Sequence, residues 1–190
     1  MEIDKIKESI KRASRELFRK YGYHKTSVNE IAKKAKIAKA TIYKYFESKE
    51  LVLHAILMDY IRHSVNEIIH NPSEVLDRET YISNIILKTS RLSYMVCNEF
   101  IGWEFIRESA NAQEFLKTLS DELESLLIQS FNEIKLFPEN SSEQLRFLIK
   151  ASKSIVFSFA FTSVSDSDVR KNFISFQKEI LPYLVKASVQ

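Results

Sequence analysis

The sequence predicts an all-α fold. Three observations carry that prediction: apolar residues recur at spacings of three and four along nearly the whole chain, Ala, Leu, Ile, Glu and Lys are abundant, and the 190 residues contain only two glycines, Gly22 and Gly102. No strand pair can be picked out. The same composition narrows the chemistry. Phosphate-cradling loops and dinucleotide folds need clustered glycines so that backbone can approach the phosphates, and no such cluster exists. A lone Cys97 excludes an internal disulfide and a thiolate zinc site, and suits a reducing, cytoplasmic setting. The opening MEIDK is charged, unlike the apolar start of a secretory signal. The longest uncharged run, Ser154 to Ser165, is 12 residues, against the roughly 20 that a membrane-spanning helix needs.

Each element has its own local warrant. Ile3, Ile6, Ile10, Ala13 and Leu17 step by three and four, and Phe18 and Tyr21 widen the stripe, which predicts a first helix ending near Gly22. Ser27, with Glu30 three residues on, matches a capping box and opens a second helix to about Ala35. A turn over Lys36 to Ala38 leads into a short third helix, Lys39 to Tyr45. Ser48 starts a fourth that meets no breaker until Asn71-Pro72; about 23 residues at roughly 1.5 Å each span about 34 Å. Beyond it, helices are expected near 79–96, 99–109 and 112–136, then a loop at Phe137 to Asn140, and final helices near 142–163 and 167–187, with Pro182 kinking or weakening the last turn. The expected architecture is about nine helices: a three-helix domain over 1–47, joined by the long fourth helix to a helical domain over 48–190.

Charge divides the chain the same way. Residues 1–50 hold 14 Lys+Arg against 7 Asp+Glu, whereas the remainder holds the other 14 against 18. A basic module attached to a mildly acidic one suggests that the first 50 residues meet a polyanion, the alternative being a solvated lysine-rich surface. Layout favours the polyanion. Two short helices separated by a three-residue turn form a helix-turn-helix, whose second helix enters the DNA major groove. On that helix Lys39, Thr41, Tyr43 and Lys44 carry polar tips, while Ile42, Tyr45 and Phe46 can turn inward toward Ile31, Phe18 and Leu17. Lysine and tyrosine tips can bond phosphate oxygens, and Lys39 or Lys44 can reach guanine acceptors. Thr26 and Ser27 open the second helix and Lys49 lies in the first turn of the fourth; both helix N-termini suit a phosphate, and Ser27 and Ser48 also read as caps.

The stretch Thr26-Ser27-Val28-Asn29-Glu30-Ile31-Ala32, followed by Ala35 through Leu51, resembles the DNA-binding signature of the TetR family of transcriptional regulators, over about residues 8–53. The resemblance implies recognition-helix contacts from Lys39, Ala40, Thr41, Tyr43 and Lys44, phosphate contacts from Thr26 and Lys49, and a core containing Phe46, Ile31 and Ala32. Three positions depart from the family pattern. Lys36 stands where glycine is common, and Ala38 and Ala40 replace small hydroxyl residues or glycine. A lysine held at positive φ is strained on the order of 1 kcal/mol, although its charge can reach a phosphate. The methyl of Ala40 suits a thymine contact.

In the last two helices the apolar residues cover more than one face. Leu145, Leu148, Ile149, Ile155, Val156, Phe159 and Ala160 form one stripe, and Phe147, Ala151 and Phe161, with Ser154 and Ser158, a second. Phe173, Phe176, Ile180 and Leu184 form a line from which Ile174, Leu181 and Val185 are displaced by about 100°. The excess implies either a large internal core or pairing of two copies through Phe147, Ala151, Phe161, Ile174, Leu181 and Val185. The resemblance implies the homodimer. It also implies a pocket for an apolar or amphipathic effector, for which Tyr94, Phe100, Trp103, Phe105, Ile106, Phe115 and Leu119 are the wall candidates, with Glu99, Glu104 and Arg107 either orienting a polar group or facing solvent.

Catalytic chemistry finds no purchase. His63 and His70 are seven residues apart on one helix, about 10 Å, too far to share a metal, and no Ser, His and acid set converges. No cofactor and no metal is expected. The reading is a cytoplasmic, homodimeric, ligand-responsive repressor of a pseudo-palindromic double-stranded DNA operator, without enzymatic activity or membrane attachment. The alternative is a helical carrier or sensor of small apolar molecules that does not read DNA sequence.

Overall fold

The structure, a computed structural model, describes residues 2–70, 77–101, 110–137 and 141–189, and these contain helices and no strand. The elements are α1 (Glu2–Tyr21), α2 (Val28–Ala35), α3 (Lys39–Tyr45), α4 (Lys49–His70), α5 (Arg78–Val96) continued by a π-helical turn (Cys97–Ile101), α6 (Ala110–Glu133), α7 (Ser142–Thr162), α8 (Asp166–Ser175), a second π-helical turn (Phe176–Ile180) and α9 (Leu181–Val189). The helix expected over 99–109 begins inside the first π turn, and the rest of it lies outside the described residues. Among the described residues no helix is long and apolar enough to cross a membrane.

The chain packs as two compact units, one of Met1–Ile61 with Val96–Leu119, the other of Arg62–Met95 with Ser120–Gln190. In the first unit Ile10, Ala13 and Phe18 of α1 are buried, as are Ile31 and Ala32 of α2, Ile42 of α3, and Val52, Leu53, Ile56, Leu57 and Met58 of α4. So dense a buried run on α4 means that the helix is covered on more than one side there. The α1 stripe differs from expectation at its ends. Ile3 is exposed, and Tyr21 points to solvent beneath the Lys20 ammonium, 4.9 Å from its ring. Tyr23 is inside instead, edge-on to Phe18 at 5.3 Å. Gly22 explains the exchange: at φ 86° it leaves helical geometry, its N–H closing on the Phe18 carbonyl at 2.9 Å, and redirects the chain so that the residue after the glycine covers Phe18.

In the second unit α7 buries Leu145, Leu148, Ile149, Val156 and Phe159, and α9 packs against it. The final helix corrects the sequence reading. A straight helix puts Leu181 and Val185 off the Phe173–Phe176 line, yet all four are buried on one side, and Leu181 is 0% exposed. The cause is the π turn. The Leu181 N–H bonds the Phe176 carbonyl five residues back, so one extra residue enters the turn and rotates the remainder of the helix by about 100°. Pro182 sits just beyond, and as it has no N–H to give and its ring crowds the carbonyl four residues earlier, a widened turn before it relieves the clash. The helix therefore continues to Val189.

Candidate nucleic-acid interface

α2 begins at a complete capping box. Ser27 Oγ accepts from the Glu30 N–H at 3.3 Å, while the Glu30 carboxylate accepts from the Ser27 N–H and hydroxyl, both at 2.7 Å. Those bonds hold the Glu30 carboxyl below its ordinary range. The helix ends on Lys36, in the left-handed region at φ 58°, ψ 40°. Its N–H reaches back to Lys33 and that of Ile37 to Ala32, which satisfies the last carbonyls of α2 and turns the chain into α3.

α3 is fixed by Ile42, 1% exposed. Lys39, Ala40, Tyr43 and Lys44 stand on the exposed side with Lys36 before them; Thr41 is half-buried. The Lys39 ammonium lies 5.9 Å above the Tyr43 ring, so a cation and a phenol share one ridge. Phe46 and Tyr45 are half-buried, and Ile31 and Ala32 fully so.

Thr26 and Lys49 are placed differently from the expectation that they hold phosphates. Thr26 is 2% exposed and donates its hydroxyl to the Gly22 carbonyl at 2.9 Å. Lys49 Nζ donates to the Tyr23 and Thr26 carbonyls at 3.0 and 2.9 Å and sits 4.2 Å over the Tyr23 ring. Burial lowers its pKa, with Glu50 opposing. Both side chains are engaged inside the unit because the α1–α2 turn leaves carbonyls that no helix satisfies. The Tyr23 hydroxyl completes the latch by donating to Glu50 Oε1 at 2.7 Å. Burial and the neighbouring carboxylate drive the Tyr23 pKa up, so the phenol keeps its proton. Burial pushes the Glu50 pKa up, but the bonds from Tyr23, the backbone and Ser48, together with Lys49, hold it down overall. Sequence reasoning missed Tyr23 and Glu50; they are 27 residues apart, and no local spacing links them. Lys11 ties α1 to α4 through Asp59 at 2.5 Å and also pairs with Glu8; burial alone would lower its pKa, and the two carboxylates raise it.

The remaining candidates are dispersed. Phe147, Phe161 and Ile174 are exposed, the Phe161 value reaching 62%, and Ala151 is half-buried, but Leu181 and Val185 belong to the interior of the second unit and are unavailable to a partner. Tyr94 stacks edge-on with Phe173 at 5.7 Å in the second unit. Phe115 does so with His54 at 5.9 Å in the first, where Leu119 is also buried. Trp103, Phe105 and Ile106 lie outside the described residues, as do Glu104 and Arg107, and so does the side chain of Phe100. His63 stands 3.5 Å from Glu67, and His70 bonds the Asn66 carbonyl.

A sequence model of the family described as bacterial regulatory proteins, tetR family, matches residues 10–56. An HTH-type transcriptional regulator of Bacillus subtilis strain 168, YuxN, itself uncharacterised, is 52% identical over 44 residues; the match spans 23% of this chain and only 15% of that relative. Along the whole chain, the fold is similar to that of a Mesorhizobium loti protein described as a TetR-family transcriptional regulator, with a TM-score of 0.62 at 17% identity over 98% of this chain and 96% of that one. It is similar also to the TetR family repressor AlkX of a Dietzia strain, with a TM-score of 0.61 at 18% identity over 97% of each chain.

Proposed function

We propose that this chain, whose residues 10–56 match the tetR family of bacterial regulatory proteins, is a TetR-family, sequence-specific DNA-binding repressor that reads a pseudo-palindromic operator as a homodimer. The observation that carries the reading is α3 itself: a seven-residue helix anchored inward by Ile42 that exposes Lys39, Ala40, Tyr43 and Lys44 on one ridge. Two lysines and a phenol supply phosphate and base-edge contacts, and the Ala40 methyl suits thymine. Ser27 remains a cap that also presents the α2 N-terminus, and Lys36 extends the basic ridge. Thr26 and Lys49 serve by fixing that geometry from inside.

Pairing through the last two helices rests on Phe147, Ala151, Ser154, Ser158 and Phe161, which recur at alternating spacings of four and three along α7, with Ile174 beside them on α8. An effector bound in the helical domain over 48–190 would change operator affinity about 5–150-fold. The functional division at 47/48 sets a DNA-reading headpiece before α4. The work is binding, without catalysis, in the cytoplasm.

The test is a titration at fixed salt of the purified protein against its own upstream DNA, with scrambled DNA as competitor. A preference of about 10³-fold or more is expected. In Lys44→Ala the slope of affinity against salt should fall by about one ion. Equal binding to both DNAs, or operator binding untouched in a folded, dimeric Tyr43→Ala/Lys44→Ala variant, would remove the assignment in favour of a helical carrier.

A further inference from the structure

A second polar site lies in the second unit and is unaccounted for by the DNA-binding reading. Glu124, on α6, has a side chain only 9% exposed and faces three cations of α7: Arg146 at 3.6 Å, Lys150 at 3.8 Å and Lys153 at 3.6 Å. The two helices bring them together by register. Asp121, Glu124 and Ser125 share one face of α6, and Arg146, Lys150, Lys153 and Ser154 one face of α7, around an open cleft of about 420 Å³.

Charge and distance do not suit a closed ion-pair cluster. One buried carboxylate is balanced by one cation, normally in hydrogen-bonded contact. Here three cations crowd together, repelling one another, and all stop beyond hydrogen-bond distance of the carboxylate. Each ammonium and guanidinium thus keeps donors to give, and the side chains of Arg146 and Lys150 are more than half exposed. Glu124 gathers the cations, and with Asp121 also in the cleft one net positive charge remains over. A phosphomonoester, carrying about −1.5 to −2 at neutral pH with three acceptor oxygens, is drawn by that surplus and offers an acceptor to each of the three cations. Asp121, exposed, repels the phosphate and accepts from hydroxyls, and Ser125 adds a hydroxyl to the wall, while Ser154 marks the border with the face proposed for pairing. Among the described residues no apolar side chain lines the cleft, so it is unlike the apolar pocket expected from the sequence. Its volume lies within the roughly 300–1,000 Å³ of small-molecule sites.

We infer that the α6–α7 cleft binds a phosphorylated polyhydroxy metabolite, the class of sugar phosphates, with Arg146, Lys150 and Lys153 on the phosphate and Asp121 on the hydroxyls. Isothermal titration of the full chain with glucose 6-phosphate, inorganic phosphate and glucose, at ionic strength matched with sodium chloride, tests this. Saturable binding of glucose 6-phosphate and none of glucose is expected. Arg146→Gln and Lys150→Gln should each weaken it about tenfold, and Lys150→Arg should restore it. Lys150→Gln leaves two cations on Glu124, and circular dichroism checks its fold. Lys39→Ala/Lys44→Ala, which strips the α3 ridge, should leave this binding unchanged, so failure here is separable from failure to bind operator. Absence of heat with both phosphate probes, or binding unaltered in Arg146→Gln and Lys150→Gln, would overturn the site. Inorganic phosphate bound as tightly as the ester would overturn its assignment to sugar phosphates.

Discussion

Lys36 shows how much one residue can state about a turn. Its left-handed conformation costs on the order of 1 kcal/mol for any residue with a Cβ, and its exposed side chain adds positive charge beside the α3 ridge. Lys36→Gly should raise the unfolding free energy by about 0.5–1 kcal/mol in urea titrations while weakening DNA binding. A destabilised variant would contradict the strain. Some residue-scale features are legible in the sequence alone. The Ser27–Glu30 box and the α3 ridge come from local spacing, which is all a sequence exposes directly. Thr26 and Lys49 mislead because their partners are main-chain carbonyls at Gly22, Tyr23 and Thr26, brought within reach only by the folded turn. Carbonyl positions leave no trace in residue type.

Elements carry two further expectations. The latch between the α1–α2 turn and the start of α4 depends on Glu50 ionised and Tyr23 protonated. Glu50 is held below its ordinary 4.5 in the folded chain, so its contribution is present above that pH and is lost as pH falls through the lower folded value. Tyr23, raised above its ordinary 10, contributes below pH 10 and loses its share as pH climbs toward the folded value. Urea midpoints measured from about pH 7 down to about pH 3 should fall less steeply in Glu50→Gln than in the parent; identical slopes would exclude the carboxylate. The final helix supplies the other. Leu181→Ala should cost about 2–5 kcal/mol because it empties a fully buried site, whereas Ile174→Ala should change unfolding of the isolated protomer by less than about 0.5 kcal/mol. The reverse order would restore the straight-helix register. That register is illegible in the sequence because periodicity assumes about 3.6 residues per turn throughout, and a single π turn breaks the assumption without changing composition. Pro182 is the one available signal, and its consequence falls upstream of it.

At the scale of the molecule, the helical class and most element bounds are readable, since apolar spacing and breakers such as Gly22 act locally. The division into units is not, because it depends on which distant segments meet. An exposed row running from Phe147 to Phe161, on a chain that also buries a full core behind α7, is the face proposed for pairing with another copy. Phe161→Glu should therefore leave helicity intact and turn dimers into monomers by sedimentation velocity, with loss of cooperative operator binding; unaltered dimers would move the interface elsewhere. The first unit is discontinuous, with α4 contributing its opening turns and Val96–Leu119 returning later in the chain. For anyone building chimaeric regulators, this argues against a single graft junction at 47/48. Such a transplant would take α3 but leave behind Val52, Leu53, Ile56 and Leu57, the apolar side of α4 that the headpiece needs, so a recipient must supply a matching α4 or accept three junctions, at 61/62, 95/96 and 119/120.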